Sequence, residues 1–295
     1  MKTALVTGAC GLLGQNLVNQ LVSKYNVVAV DVSPDIFERN RNLKFINCDL
    51  TEHRALSNLL SKIKPEFIYN CAAYTDVDGC EKYRDKAYTI NVELVRNLID
   101  SGTSRIVQYS TDYVFNGDNG PYAENDPTDP VGYYGETKLI SERMLLGSSN
   151  NNLVIRTNVL FGTGVDIRPN FITWLITSLK QGKKLKIVTD QFNNPIHAEN
   201  LAAASIEAEE YGLTGVLHLG GADYLSRFEI AVITAEFFKF EKELITPVKT
   251  SELGQTAKRP MKGGLKIDLA NRMLNTRMLN FEEGLGLIKL NNSRV

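Results

Sequence analysis

Tyr134 and Lys138 stand four residues apart in Tyr134-Gly135-Glu136-Thr137-Lys138. On a helix that spacing puts both side chains on one face. An ammonium beside a phenol stabilises the phenolate and draws its pKa down toward working pH. A tyrosine so placed can protonate the alkoxide that forms when a carbonyl accepts hydride. These five residues alone would equally suit a surface tyrosine and a solvated lysine, so the context has to decide. Tyr109-Ser110-Thr111-Asp112-Tyr113-Val114-Phe115 closes a predicted strand. The carboxyl ends of strands form the functional edge of an open parallel sheet. Thr111, with Ser110 as its rival, offers a hydroxyl there for a substrate carbonyl.

A second set of residues suits a dinucleotide. Gly8, Gly11 and Gly14 recur at three-residue intervals in Gly8-Ala9-Cys10-Gly11-Leu12-Leu13-Gly14, between a short apolar run and a helical pattern. In such a turn one glycine permits the bend, one lets backbone approach a pyrophosphate, and one lets helix and strand pack closely. The helix N-terminus then faces the anion. Candidate cofactor contacts in the turn are Gly8, Cys10, Gly11, Leu12, Leu13 and Gly14. Asp31 follows Gly14 by 17 residues and ends the second predicted strand. Its carboxylate suits the hydroxyls of an adenine ribose and repels a 2′-phosphate, so NADH is favoured over NADPH. Arg39 and Arg41 nearby would soften that preference. Asp49, with Leu50 beside it, closes the third strand within reach of the adenine edge.

These groups need elements to hold them. Ala4–Val6, Val27–Val30, Phe45–Ile46, Phe67–Tyr69, Arg105–Tyr109 and Leu153–Arg156 read as strands. Helical patterns separate most of them: Leu12–Leu21, a stretch through Leu56, Leu59 and Leu60, Tyr88–Ile99, and Gly135–Leu146. The alternation predicts an α/β chain, a Rossmann-type doubly wound parallel sheet with helices on both faces. Gly117–Gly132 is rich in Gly and Pro and reads as a long surface loop of functional length. After Gly162 the rhythm weakens. Phe171–Leu179 and Phe228–Phe240 look helical, and Leu185–Val188 and Val216–Leu219 look like strands. The expected organisation is a dinucleotide-binding region at 1–162, rejoined by 193–221. A smaller C-terminal substrate-binding region at 163–192 and 222–295 completes it.

Composition narrows the class. With 43% hydrophobic and 23% charged residues the chain is ordinary globular protein, neither disordered nor fibrous. Lys plus Arg number 33 against 34 Asp plus Glu, so no general basic field attracts a nucleic acid polymer. Cys10, Cys48, Cys71 and Cys80 form no CxxC pair, and with three histidines no metal signature arises. Reduced thiols, no apolar run near the roughly 18 residues of a membrane span, and no signal-peptide pattern lead to the expectation of a cytoplasmic protein. His53, His197 and His218 are far apart and read as structural or exposed. Trp174 reads as core or subunit packing.

In the order and spacing of these motifs the chain resembles the extended short-chain dehydrogenase/reductase superfamily, and within it the dTDP-4-dehydrorhamnose reductase family. The resemblance covers nearly the whole chain. It rests on the glycine turn, Asn70-Cys71-Ala72-Ala73-Tyr74-Thr75-Asp76-Val77-Asp78, Ser110-Thr111-Asp112-Tyr113-Val114-Phe115, and Tyr134-Gly135-Glu136-Thr137-Lys138-Leu139 with Glu142. Asn170-Phe171, Asp190-Gln191-Phe192 with Pro195, and Arg259-Pro260 are later landmarks.

The resemblance implies reduction of the 4-keto group of dTDP-4-dehydro-L-rhamnose by NADH or NADPH. Tyr134 would be the proton donor, and Lys138 would lower its pKa and hold the nicotinamide ribose. Thr111 would polarise or orient the keto group. Cys71, Ala72, Ala73 and Tyr74 would pass near the cofactor. Thr111, Asp112, Tyr134, Asn170, Gln191 and Arg259 would face the nucleotide sugar, an arginine suiting its diphosphate. The implied partners are a nucleotide sugar and, as one option for assembly, a second copy in a homodimer. The sequence departs from the family at Gly264, where a serine commonly precedes the leucine, at Asn193, often glycine, and at Ile196, often threonine. By the resemblance, all three lie in regions that would frame the nucleotide sugar. Two alternatives follow from the same resemblance. One is a reductase or epimerase/dehydratase of another nucleotide sugar. The other is a non-catalytic regulatory subunit similar to that of methionine adenosyltransferase, against which intact Tyr134 and Lys138 argue.

Overall fold

In the computed structural model, residues 1–102, 104–149 and 151–292 are described. Four short branched or apolar runs start the chain's sheet: β1 (Thr3–Thr7), β2 (Asn26–Asp31), β3 (Leu43–Asn47) and β4 (Phe67–Asn70). Helix α1 (Leu12–Leu21) joins β1 to β2, and α2 (His53–Ile63) joins β3 to β4. The chain then runs through α3 (Val77–Lys82), α4 (Arg84–Tyr88) and α5 (Leu94–Asp100) to β5 (Arg105–Thr111). Helix α6 (Tyr133–Ser148) leads to β6 (Leu153–Thr157). Next come β7 (Leu160–Phe161), α7 (Phe171–Lys180), β8 (Leu185–Val188), β9 (Phe192–Asn193), β10 (Ile196–His197) and α8 (Ala198–Glu210). The last elements are β11 (Gly215–His218), β12 (Leu225–Ser226), α9 (Arg227–Phe238), β13 (Ile245–Val248), α10 (Asp268–Met273) and α11 (Phe281–Asn292).

Seven strands form one parallel sheet in the order β11-β6-β5-β4-β1-β2-β3. The expected α/β doubly wound sheet is therefore present, with a smaller C-terminal region beside it. Both faces are covered, which is why strands such as Ala4-Leu5-Val6 and Val27–Val30 are continuously apolar rather than alternating. On one face Ala4, Val6, Val27 and Ala29 meet Leu17 and Val18 of α1 and Leu201 of α8. On the other, Leu5, Val28 and Val30 meet Leu56 and Leu60 of α2, Leu98 of α5 and Leu145 of α6. The order reverses between β1 and β4, and open α/β sheets bind ligands at the crevice that this reversal opens. The strand expected near Val216 is β11, the edge strand beside β6.

In the C-terminal region, Leu175 and Leu179 of α7, Leu185 and Ile187 of β8, Ala231 and Ala235 of α9, and Ile245 of β13 form a separate core. Phe161, Ile172, Ile230, Phe281 and Leu285 join it to α11.

Three expectations need correction. The helix expected over Tyr88–Ile99 is split by a π turn at Thr89–Glu93, which turns Asn91 inward. The Gly117–Gly132 segment is a surface loop only in part. Its backbone zips along 262–266, with Tyr122 N donating to Gly264 O at 3.1 Å and Lys266 N to Tyr122 O at 2.7 Å. Tyr122 is buried and stacked on Phe115 at 4.3 Å. Of the two readings of Trp174, the core one does not hold: it lies stacked on Phe171 and 41% exposed, which leaves subunit packing.

Candidate active site

The glycine turn divides its work as its chemistry requires. Gly8 has φ +59°, and a Cβ there would lie 2.7 Å from Ala72 N. Gly14 has no room either, since its Cβ would overlap Gly8 O. Gly11 differs. Its φ of −71° suits any residue, and a Cβ would meet only Gly8 O at 3.2 Å. Gly11 therefore leaves bare backbone facing open space at the N-terminus of α1. That space is a cleft of about 880 Å³, lined by Gly8, Cys10, Gly11 and Leu12 on one side. Asp31, Asp49, Leu50, Cys71, Ala72 and Ala73 line it further. Leu13 does not reach the cleft. One helical step turns it into the core with Leu17 and Leu21, so its part is packing.

Asp31 sits in this cleft with both oxygens engaged. Cys10 N donates to Oδ2 at 2.9 Å and Ser33 N donates to Oδ1 at 2.9 Å. Asp49 Oδ1 accepts from Thr51 N at 2.9 Å and Thr51 Oγ1 at 2.7 Å, so it shapes its own turn. Arg39 and Arg41 line a different hollow with Phe37 and Phe45, away from Asp31's cleft.

A polar chain crosses three neighbouring strands, β1, β4 and β5. Thr7 Oγ1 donates to Asn70 Oδ1 at 2.5 Å, and Asn70 Nδ2 donates to Gln108 Oε1 at 2.6 Å. The segment after β4 is fixed by Asn91, which the sequence reading missed. Tyr74 N donates to Asn91 Oδ1 at 2.8 Å, and Asn91 Nδ2 donates to Tyr74 O at 3.2 Å and Thr137 Oγ1 at 3.1 Å. The π turn thereby ties Tyr74 to the helix that carries Tyr134, as such insertions often do at functional sites.

Tyr134 and Lys138 start α6, and Thr111 ends β5. Thr111 lies beside the Tyr134 phenol and works to lower its pKa, and the phenol ring sits edge-on to Tyr113 at 5.7 Å. Ser110, the rival hydroxyl, is buried with no partner among the described residues. Lys138 is buried. Burial lowers its pKa to about 8, with Glu142 working against the fall. The expected lowering of the Tyr134 pKa is not found. Burial pushes the phenol up, Cys80 adds to the rise, and the Thr111 side chain works against it. Glu142, one turn beyond Lys138, is buried and forks onto Arg156, whose Nη2 donates to Oε2 at 2.8 Å.

The residues expected to face a nucleotide sugar are engaged with the protein itself. Asp112 is buried, with burial raising its pKa. Its Oδ2 accepts from Asn193 Nδ2 at 2.8 Å, Gly264 N at 3.0 Å and Asn158 Nδ2 at 3.4 Å. Two departures from the family pattern, Asn193 and Gly264, thus converge on one carboxylate. Asp112 Oδ1 accepts from Thr111 Oγ1 at 3.3 Å, so this side chain anchors Thr111 and does not project into open space. Asn170 caps α7, accepting from Thr173 N at 3.1 Å. Gln191 is buried, donating to Thr250 Oγ1 and Gln255 Oε1. Arg259 Nη2 pairs with Asp78 Oδ2 at 2.7 Å. Burial works to lower the guanidinium's pKa, but the Asp78 bond and charge hold it above the usual value. His218, read as a strand residue facing polar surroundings, is fully buried between Arg156 and Tyr122 O.

The family described as the RmlD substrate binding domain matches residues 1–291. The spore coat polysaccharide biosynthesis protein SpsK of Bacillus subtilis is 32% identical, over 88% of this chain and 87% of its own. A hypothetical dTDP-4-dehydrorhamnose reductase from Sulfolobus tokodaii superposes with a TM-score of 0.85 at 35% identity, covering 96% of this chain and 99% of that one. The dTDP-4-dehydrorhamnose reductase of Bacillus anthracis, solved in complex with NADP, gives 0.88 at 28% identity over 99% and 100% of the two chains. A match across nearly every residue, on a sheet whose switch point carries the glycine cleft and the Thr111–Tyr134 contact, means that the chain belongs to the RmlD substrate binding domain family of extended short-chain dehydrogenases/reductases.

Proposed function

We propose that this chain reduces the C4 ketone of dTDP-4-dehydro-L-rhamnose to the alcohol of dTDP-L-rhamnose, with NADH or NADPH as reductant. The carrying observation is the juxtaposition of Thr111 at the end of β5 with Tyr134 at the start of α6, where Thr111 works to lower the phenol's pKa, and with Lys138 buried four residues on. The sugar comes from the names of the similar reductases of Sulfolobus tokodaii and Bacillus anthracis. The cleft suits a dinucleotide because Gly11 opens backbone N–H groups of a helix start to an anion.

The reduced nicotinamide would supply hydride to the carbonyl carbon. Tyr134 gives its phenolic proton to the carbonyl oxygen as that oxygen gains negative charge, leaving a secondary alcohol and a phenolate. The Lys138 ammonium offsets the phenolate until a solvent proton restores it. Thr111 aims the phenol, and Asp112 with Asn193 holds Thr111 at the strand end. Arg259, already paired with Asp78, lends its charge to the substrate's diphosphate side. Asp31 favours NADH, because its carboxylate would repel a 2′-phosphate.

The test is a steady-state assay with freshly made dTDP-4-dehydro-L-rhamnose and either nicotinamide. Stoichiometric loss of the reduced-nicotinamide absorbance with dTDP-L-rhamnose as product is expected, with the higher kcat/KM for NADH. No loss with either cofactor would overturn the reading. A higher kcat/KM with NADPH would overturn only the role given to Asp31.

A further inference from the structure

Residues 162–170, between β7 and α7, are held by hydrogen bonds rather than by burial. At the base, Asn170 Nδ2 donates to Gly162 O at 2.8 Å. In the middle, buried Gln15 of α1 grips Val165 twice. Its Nε2 donates to Val165 O at 2.8 Å, and Val165 N donates to its Oε1 at 3.0 Å. The same Nε2 donates to Cys10 O at 2.8 Å, inside the glycine turn. Gly164 lies so close that a Cβ there would sit 2.7 Å from Gln15 Oε1. Val165 itself is 54% exposed, so apolar packing does not explain why the segment lies here.

What this arrangement delivers is Arg168. It lines the same cleft as Gly8 and Gly11, yet it is exposed and has no hydrogen bond or ion pair to any described residue. The other charges on that wall are mostly carboxylates: Asp31, Asp49, Asp85 and Asp166, against Lys86. A doubly negative diphosphate brought to the start of α1 would meet four carboxylates, with the helix start and Lys86 set against them. A guanidinium offers a planar fork of donors that matches phosphate oxygens.

We propose that residues 162–168 form a strap, pinned to the glycine turn by Gln15, that sets Arg168 against the diphosphate of the bound dinucleotide. The strap continues into α7, so the second region contributes a cofactor contact to the cleft. The proposal rests on reading the cleft as a dinucleotide site.

The test is calorimetric binding, without turnover, of NADH, ADP-ribose and adenosine to the wild type, Arg168→Gln, Arg168→Lys and Gln15→Leu. Arg168→Gln should weaken NADH and ADP-ribose by roughly tenfold, the scale of one charge-assisted phosphate contact. It should leave adenosine unchanged and flatten the salt dependence of NADH binding. Arg168→Lys should recover part of the loss. Gln15→Leu should weaken NADH similarly and remove its protection of residues 163–168 from limited proteolysis. Unchanged NADH affinity in Arg168→Gln would overturn the proposal. So would a loss of affinity for dTDP alone, because the guanidinium would then serve the other diphosphate. A wild type that binds neither NADH nor ADP-ribose would sink the dinucleotide reading itself, and the strap with it.

Discussion

At the residue scale the site turns on how burial tunes two groups. Lys138 loses its water inside α6, and burial brings its pKa to about 8, against the ordinary 10.5. In the proposed reaction the charged ammonium is the form that offsets the Tyr134 phenolate, and it is present below that value and lost above it. We therefore expect kcat/KM for the ketone to fall as pH rises through about 8, measured as a pH profile with saturating NADH. A profile flat to pH 10 would remove Lys138 from the role given to it. The Tyr134–Lys138 pair was legible because helical spacing is a local property. The direction of the Tyr134 shift was not legible, because sequence shows a neighbouring cation but not the loss of solvent around the phenol. The internal partners of Asp112, Asn170 and Gln191 were not legible for a related reason. A polar residue beside a motif looks the same whether it faces a ligand or an internal partner 81 positions away, as Asp112 and Asn193 do.

At the element scale the glycine turn makes a sharp distinction. Gly14 is closed by the backbone of Gly8 and Ala9 in the turn, whereas Gly11 faces the cleft with an ordinary φ. Gly11→Val should fold with a near-normal Tm and lose NADH affinity by more than about tenfold, whereas Gly14→Val should lose the cooperative unfolding transition. Thermal unfolding and NADH titration of the two variants check this. Equal behaviour of both would contradict the division of work. The strands and α1 were readable because both-face burial makes apolar runs and the helix repeats leucine each turn. The π turn at Thr89–Glu93 was not, because a single inserted residue leaves the apolar pattern of Tyr88–Ile99 almost intact. Its signal was faint: Asn91 stands beside Val92 on what must be a buried face. Gln15 gave a similar hint, a long amide among the leucines of α1.

At the scale of the whole molecule, two histidines are folded in without charge. Burial lowers His197 to about 4 and His218 to about 3, with Arg156 adding to the fall for His218. In the unfolded chain they titrate near 6.5. Between those limits the unfolded state binds more protons, so stability rises with pH and is lost on acidification. We expect Tm to drop steadily from pH 6.5 toward 4, and His218→Gln to flatten part of that slope. A Tm independent of pH over that window would contradict the burial of both rings. The irregular second half was the least legible, because its short strand pairs β8–β13 and β9–β12 join segments distant in sequence. No local period announces such pairs.

Hydride is expected to pass from added NADH to C4 of the sugar in a net reduction. An epimerase or dehydratase built on the same Tyr134 and Lys138 would instead take hydride from its own sugar onto bound NAD+ and give it back, consuming no added NADH. The decisive measurement supplies NADH deuterated at the transferable C4 position, together with dTDP-4-dehydro-L-rhamnose, and examines the sugar product by mass spectrometry and proton NMR. The expected result is dTDP-L-rhamnose carrying one deuterium, at C4 of the sugar, with none transferred by Tyr134→Phe although that variant binds NADH. A sugar product without deuterium, formed while the NADH remains reduced, would contradict the account.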